Sequence, residues 1–164
     1  MNIYLLRHAI SVTRGTPGFP NDDRPLTDEG RKKMSEGAKA LVKVIEPLDI
    51  ILTSPLVRAS ETAQIAAKAL HCEKKVMVCD KLQPEYSPKF VIEYLAGFNT
   101  YKNIMLVGHE PQMGLIASHL LGLEKEFLEV KKGSLICIEV DSLKPRTTGT
   151  LLWSLRPKHL RMIA

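Results

Sequence analysis

The sequence predicts an α/β fold, a three-layer α/β/α sandwich with a mostly parallel central sheet and an antiparallel edge, and three observations predict it. Short continuous apolar runs such as Asn2-Ile3-Tyr4-Leu5-Leu6 suit strands buried on both faces, as parallel strands are. Segments with apolar residues at helical spacing alternate with these runs, the pattern of repeated strand-helix crossovers. Residues 134–140 and 150–155 instead alternate residue by residue around a turn-rich gap, as an antiparallel edge pair does.

Residues 2–6 start the sheet. Residues 14–25 carry three prolines, two glycines and two aspartates, hold no regular element and form a surface loop beside the end of the first strand, a place that shapes substrate access. Thr27 reads as the N-cap of the first helix, with Asp28 and Glu29 against its positive end. Met34, Ala38, Leu41, Val42 and Ile45 form that helix's buried face, and Pro47 ends it. Residues 49–53 are the second strand. Ser54-Pro55 then supplies an N-cap and an N1 proline for a helix through Leu70, whose narrow inner stripe is Ala59, Ala63, Ala66 and Leu70. Residues 76–79 make the third strand, and Ser87-Pro88 opens a helix that turns Val91, Leu95 and Phe98 inward. Residues 103–108 are the fourth strand, and a helix over 112–121 stops at Gly122.

Composition bounds the function. With 164 residues, 45% hydrophobic and 25% charged, the chain fits one globular domain over residues 1–164. The net charge of +5 attracts anions, but Lys and Arg are spread along the chain and aromatics make up only 5%, which favours small phosphorylated groups over nucleic acid. No segment reads as a leader peptide or a membrane span, so the expected location is cytoplasmic. Cys72, Cys79 and Cys137 are odd in number and lack C-x-x-C spacing; they read as reduced thiols, and neither a metal nor another cofactor is expected. His119 on a helix, the lysine pairs and the basic residues 156–161 read as packing or solvated charge, although the basic tail is also suited to guiding an acidic protein partner.

Three motifs carry chemistry. Leu6-Arg7-His8-Ala9 and Val107-Gly108-His109-Glu110 each close an apolar strand, and Ser54-Pro55-Leu56-Val57-Arg58 follows another. Ligands gather beyond the carboxyl ends of strands in open α/β sheets, so these side chains can converge from afar. Each alone has a bland reading: a hydrogen-bonded structural histidine, or an arginine on a solvated helix face. Packing does not demand the ordered set. A phosphoryl group in transfer spreads charge over its equatorial oxygens, for which Arg7 and Arg58 are suitable donors. Beside two arginines the His8 imidazole is held neutral and nucleophilic, and His109 is placed to offset charge on an equatorial oxygen. The predicted course is displacement by His8, a phosphohistidine intermediate and attack by water.

With these motifs the chain resembles the histidine phosphatase superfamily, also called phosphoglycerate-mutase-like, and within it the short SixA-type phosphohistidine phosphatases. Leu6-Arg7-His8-Ala9 is similar to the RHG or RHA signature, which implies that His8 is the phosphorylated nucleophile and Arg7 a phosphate ligand. The stretch from Ser54 to Ala63 is similar to the second motif, implying phosphate contact by Arg58, and Gly108-His109-Glu110-Pro111 to the GH-x-P stretch, implying that His109 completes the pocket. Arg24-Pro25-Leu26-Thr27 resembles the RPLT element, implying that Arg24 reaches the phosphate. Ala9 stands where the wider family has glycine, so the backbone there cannot rely on positive φ; the SixA-type branch accepts alanine. Mutase-like and ester-cleaving members place a glutamate acid after the third strand, where this chain has Lys81-Leu82-Gln83-Pro84-Glu85. Glu85 is therefore the candidate proton donor, set against its reading as an exposed loop carboxylate. Glu110, followed by Pro111, reads as part of a helix start.

The weak case for an acid bears on substrate. An alkoxide leaving group needs a proton, worth roughly 100- to 10,000-fold in rate, whereas an imidazole leaves far more readily. The expected activity is a cofactor-independent phosphatase on phosphohistidine in proteins. The alternatives are a phosphomonoesterase on a small metabolite and a phosphate-binding module without turnover.

Overall fold

The computed structural model describes residues 1–19, 22–123, 128–143 and 147–164. Strands β1 (Asn2–Arg7), β2 (Ile50–Thr53), β3 (Val76–Val78), β4 (Asn103–Gly108), β5 (Leu135–Ser142) and β6 (Thr148–Leu155) form one sheet in the order β3-β2-β4-β1-β5-β6. β3, β2, β4 and β1 pair in parallel; β5 pairs antiparallel with β1, and β6 with β5. The expected mixed sheet is therefore present, with β5 and β6 extending beyond 134–140 and 150–155; residues 144–146 of the intervening turn lie outside the described residues.

Helices cover both faces, and the β1 sequence shows why its apolar run is unbroken. Ile3 and Leu5 pack on the face covered by α4 (Pro88–Leu95) and α5 (Gln112–Leu120), beside Val91, Met113 and Ile116. Tyr4 and Leu6 pack on the opposite face beside Met34, Ala59, Ala63 and Leu160, which belong to α1 (Asp28–Ala38), α3 (Val57–Ala69) and α6 (Pro157–Ile163). Alternate residues thus enter two different cores.

Hydroxyl caps explain the starts of α1 and α4. Thr27 Oγ1 accepts from Gly30 N–H at 3.0 Å, with Asp28 and Glu29 in the first turn, and Ser87 caps α4 ahead of Pro88. Gly122, at φ +70°, takes the left-handed conformation just beyond α5, which an L side chain resists.

Three expectations need correction. The first helix does not run on to Pro47: it stops at Ala38, where the Ala40 N–H turns back to Gly37 O at 3.1 Å, and α2 (Leu41–Val44) follows. This tight turn rotates the inner face, so Leu41 is buried while Val42 is 58% exposed. Ser54 does not cap α3, which starts at Val57 after an extended Leu56; Pro55 thus lies outside the helix. The basic tail is not merely solvated charge. It forms α6, whose Leu160 is buried against the α1 face, an anchor worth roughly 1.5–3 kcal/mol by area burial.

The topology positions the site. The chain leaving β1 runs to the α1 face and the chain leaving adjacent β4 runs to the α5 face, so a crevice opens between their carboxyl ends.

Candidate active site

Strand register brings the motifs together. Arg7 lies opposite Gly108 in the β1–β4 pair, and Thr53 opposite Val107 in the β2–β4 pair. Just beyond, His8 N–H donates to Gly108 O and Ser54 N–H to Val107 O, each at 3.0 Å. His8, Ser54 and His109 therefore leave three neighbouring strands side by side, and the two imidazole centroids stand 5.1 Å apart.

The His8 ring has a defined tautomer. Its Nδ1 lies 2.7 Å from Ala9 O, and because a carbonyl only accepts, Nδ1 carries the proton and Nε2 the lone pair. Burial above all, then Arg58, Arg7 and Lys132, depress the pKa to about 3 although the Ala9 bond opposes the shift. Desolvation, and not the neighbouring arginines alone, is thus the larger cause. Ala9 keeps a negative φ.

His109 is likewise buried, its pKa lowered to about 2 by desolvation first and then by His8, Arg58 and Arg7. Its Nε2 lies 2.8 Å from Ser54 Oγ, which also accepts from Leu56 N–H at 3.3 Å. If the Ser54 hydroxyl donates to Nε2, the His109 proton sits on Nδ1, a buried atom with no hydrogen-bond partner among the described residues. Ser54 thus serves the histidine rather than a helix end.

Cations surround the two rings. Arg7 Nη1 donates to Val130 O at 2.7 Å, while its buried Nε has no hydrogen-bond partner among the described residues. Arg58, 3% exposed, donates from Nη1 to Asp22 O at 3.0 Å and from Nη2 to Asp22 Oδ2 at 2.9 Å, again with a buried Nε that has no partner among the described residues. Arg24 donates from Nε to Asp22 Oδ1 and from Nη1 to Val12 O, both at 2.6 Å. Arg7, His8, Asp22, Arg24, Arg58 and His109 line one open cavity of about 300 Å³. Desolvation would raise the pKa of Asp22, but Arg24 and Arg58 outweigh it and hold the carboxylate at about 2.

Several participants escaped the sequence reading. Asp22, Ser11 and Lys132 line the cavity, yet only the Asp-Asp-Arg run before Pro25 hinted that a carboxylate would accompany Arg24. Thr62 accepts from Ala9 N–H at 3.1 Å and donates to Arg58 O at 2.7 Å, tying the turn after His8 to the turn that bears Arg58. Glu61 accepts from Leu26 N–H and from Arg31 Nη2, each at 2.7 Å, and so holds the segment after Arg24 against α3. Gly30 admits close backbone approach, since a Cβ there would lie 2.0 Å from Ile10 O.

The two glutamates are placed differently. Glu85 is exposed and does not line the cavity, where Pro84 is its nearest representative. Glu110 does line it, with its carboxylate accepting from the backbone N–H groups of Gly114 and Val130. Among the described residues no group of three or more His, Cys, Asp or Glu side chains forms a metal-ligand cluster, and no helix is long and apolar enough to cross a membrane.

Comparison with known proteins agrees with this geometry. Residues 3–83 match the histidine phosphatase superfamily (branch 1). The phosphohistidine phosphatase SixA homolog of Haemophilus influenzae is 30% identical over 164 residues, covering 93% of this chain and 88% of its own. The structure of the protein histidine phosphatase SixA complexed with tungstate superposes with a TM-score of 0.84 at 22% identity, over 98% of this chain and 99% of that one. The α-ribazole phosphatase of Shigella flexneri superposes at 0.72 with 18% identity, over 96% and 97%.

Proposed function

This chain belongs to the histidine phosphatase superfamily and is a phosphatase, and on that premise we propose that it dephosphorylates phosphohistidine in proteins, without a metal, through a covalent intermediate on His8. The observation that carries the reading is the hydrogen bond from His8 Nδ1–H to Ala9 O, which leaves Nε2 as the nucleophile. Nε2 attacks phosphorus, and the bond from phosphorus to the substrate's ring nitrogen breaks with its electron pair returning to that nitrogen. Because its other ring nitrogen is protonated, the leaving group departs as neutral imidazole. Water then attacks the phosphorus on His8, the bond to Nε2 breaks, and the proton that water sheds is shared between phosphate and bulk solvent. Nδ1–H, held by Ala9 O, makes His8 itself a neutral leaving group in this second step.

The donors suit the charge that develops. Arg7 Nε, Arg58 Nε and His109 Nδ1 are buried and without hydrogen-bond partners among the described residues, and as N–H donors they suit the equatorial oxygens of the transferring group. The arginines bind the phosphate, and Arg24 at the rim of the cavity adds a further cation.

Substrate class follows from proton supply. Asp22 is held ionised by guanidinium groups, and Glu85 lies outside the cavity, so neither is suited to protonating an alkoxide. The second reading, a phosphomonoesterase on a small metabolite, rests on Glu110, which lines the cavity although both its carboxylate oxygens accept backbone N–H bonds. Phosphate release from a phosphohistidine peptide, a phosphoserine peptide and sugar phosphates, with and without EDTA, separates the two. Phosphohistidine is expected to turn over fastest, unaffected by EDTA and abolished in His8→Ala, with labelled phosphate trapped on His8 in wild type. Faster ester hydrolysis would refute the substrate, and failure to trap phosphate would refute the intermediate.

A further inference from the structure

Beside the phosphate cavity a narrower cleft runs between α1 and α6. Its floor is apolar, built from Ile10, Met34 and Leu160, and Gly30, Gly37 and Gly133 line it with backbone in place of side chains. Its rim carries Lys33 on α1, Arg161 on α6 and Lys132, and no carboxylate is among the residues that line it. Lys33 also pairs with Glu29 one turn earlier on α1. Lys132 lines both the cleft and the cavity, and Ala9 of the cleft directly follows His8 of the cavity. The two depressions thus adjoin at Lys132.

We propose that this cleft docks the segment flanking the phosphorylated histidine of an acidic substrate protein, laying one apolar side chain over the shallow apolar floor at the α1–α6 seam and setting carboxylates against Lys33 and Arg161. The proposal rests on the phosphohistidine reading above. The phosphate cavity recognises the group being transferred, which every phosphohistidine protein shares, so discrimination between such proteins has to come from contacts further out. An apolar floor with an all-cationic rim selects an apolar residue bordered by acids and repels a basic segment. Rim charges of this kind act chiefly on the encounter rate, and salt screens them.

The test uses three substrates that share the nitrogen–phosphorus bond. One is a phosphohistidine peptide with a leucine and two glutamates beside the phosphorylated residue, the second replaces those glutamates by lysine, and the third is phosphoimidazole. For the wild type, kcat/KM is expected to be about tenfold higher on the acidic peptide than on the lysine peptide at low salt, converging at high salt. Replacing the leucine by alanine is expected to raise KM several-fold. Lys33→Ala with Arg161→Ala should erase the preference yet leave phosphoimidazole turnover unchanged, and Lys33→Arg with Arg161→Lys should retain the preference. A preference that survives the double alanine variant, or equal rates on both peptides alongside active phosphoimidazole turnover, overturns the docking proposal alone. Failure of all three substrates while esters turn over overturns the phosphohistidine reading instead.

Discussion

Asp22 grips Arg58 through two of its own atoms, the backbone oxygen at 3.0 Å from Nη1 and Oδ2 at 2.9 Å from Nη2. The carboxylate also pairs with Arg24 and lies 3.6 Å from Arg14, so an internal anion stands among the cations of the cavity. It offsets their mutual repulsion and, under the proposed function, is expected to compete with incoming phosphate.

Asp22→Ala is expected to lower the stability of the free enzyme by about 1–3 kcal/mol, because a buried guanidinium loses its partner. Phosphate should bind the variant several-fold more tightly. Thermal unfolding at graded phosphate concentrations checks both, with a larger phosphate-induced rise in Tm for the variant than for wild type. Equal rises would show that the carboxylate does not compete.

Under the proposed mechanism Thr62 positions His8. Thr62→Val keeps the shape but leaves Ala9 N–H unbonded, Arg58 O keeping its helical bond, at a cost of about 1–3 kcal/mol. The His8–Ala9 turn loosens, and kcat is expected to fall about tenfold or more with KM little changed, since misplacement of the reacting atom acts on the chemical step. Thr62→Ser, which retains both hydrogen bonds, should restore most of the rate. Equal losses in kcat for Ser and Val would remove this role.

The two histidines set the acid limb of stability. Their folded pKa values, about 3 for His8 and about 2 for His109, lie below the ordinary 6.5, so the unfolded chain binds more protons between those values. Stability is therefore complete above about pH 6.5 and declines as pH falls towards 3. Denaturant titrations from pH 7 to 4 should show this decline, with a shallower slope in His8→Ala. Imidazole nitrogen NMR of the free enzyme should keep His8 neutral, with its proton on Nδ1, at pH 5. A charged ring there would contradict the assignment.

Gly30 tests how tightly α1 is seated beneath the turn that follows His8. The Cβ of Gly30→Ala would meet a backbone oxygen, Ile10 O, at 2.0 Å, and backbone cannot swing aside as a side-chain tip can. A loss of about 2–4 kcal/mol is expected from this overpacking, together with a fall in kcat as residues 8–10 shift. Unfolding curves and steady-state kinetics measure the two effects.

Elements marked by local chemistry were legible from sequence. β4 has the limits Asn103–Gly108 that its apolar run implied, and Thr27 and Ser87 cap α1 and α4 because a hydroxyl one residue before a helix is a short-range signal. The same signal misled at Ser54. There a hydroxyl has a choice of partners, and His109, 55 residues away, takes it. The break after Ala38 was hidden for a related reason: the apolar spacing from Met34 to Ile45 continues through it, while α6, whose Leu160 packs beside Gly37, and the sheet decide which residues face inward.

By itself the sequence determined which reactive groups exist and which strand and helix ends they occupy, because apolar runs and breakers act over a few residues. Tertiary structure decided how those groups behave. The placement of Asp22 on Arg58 spans 36 residues and the Ala9–Thr62 bond spans 53, and the proton on His8 Nδ1 and the desolvation that keeps its ring neutral depend on what the folded chain packs around them. Such long-range hydrogen bonds and burial arise only once distant segments meet, so no local stretch of sequence encodes them.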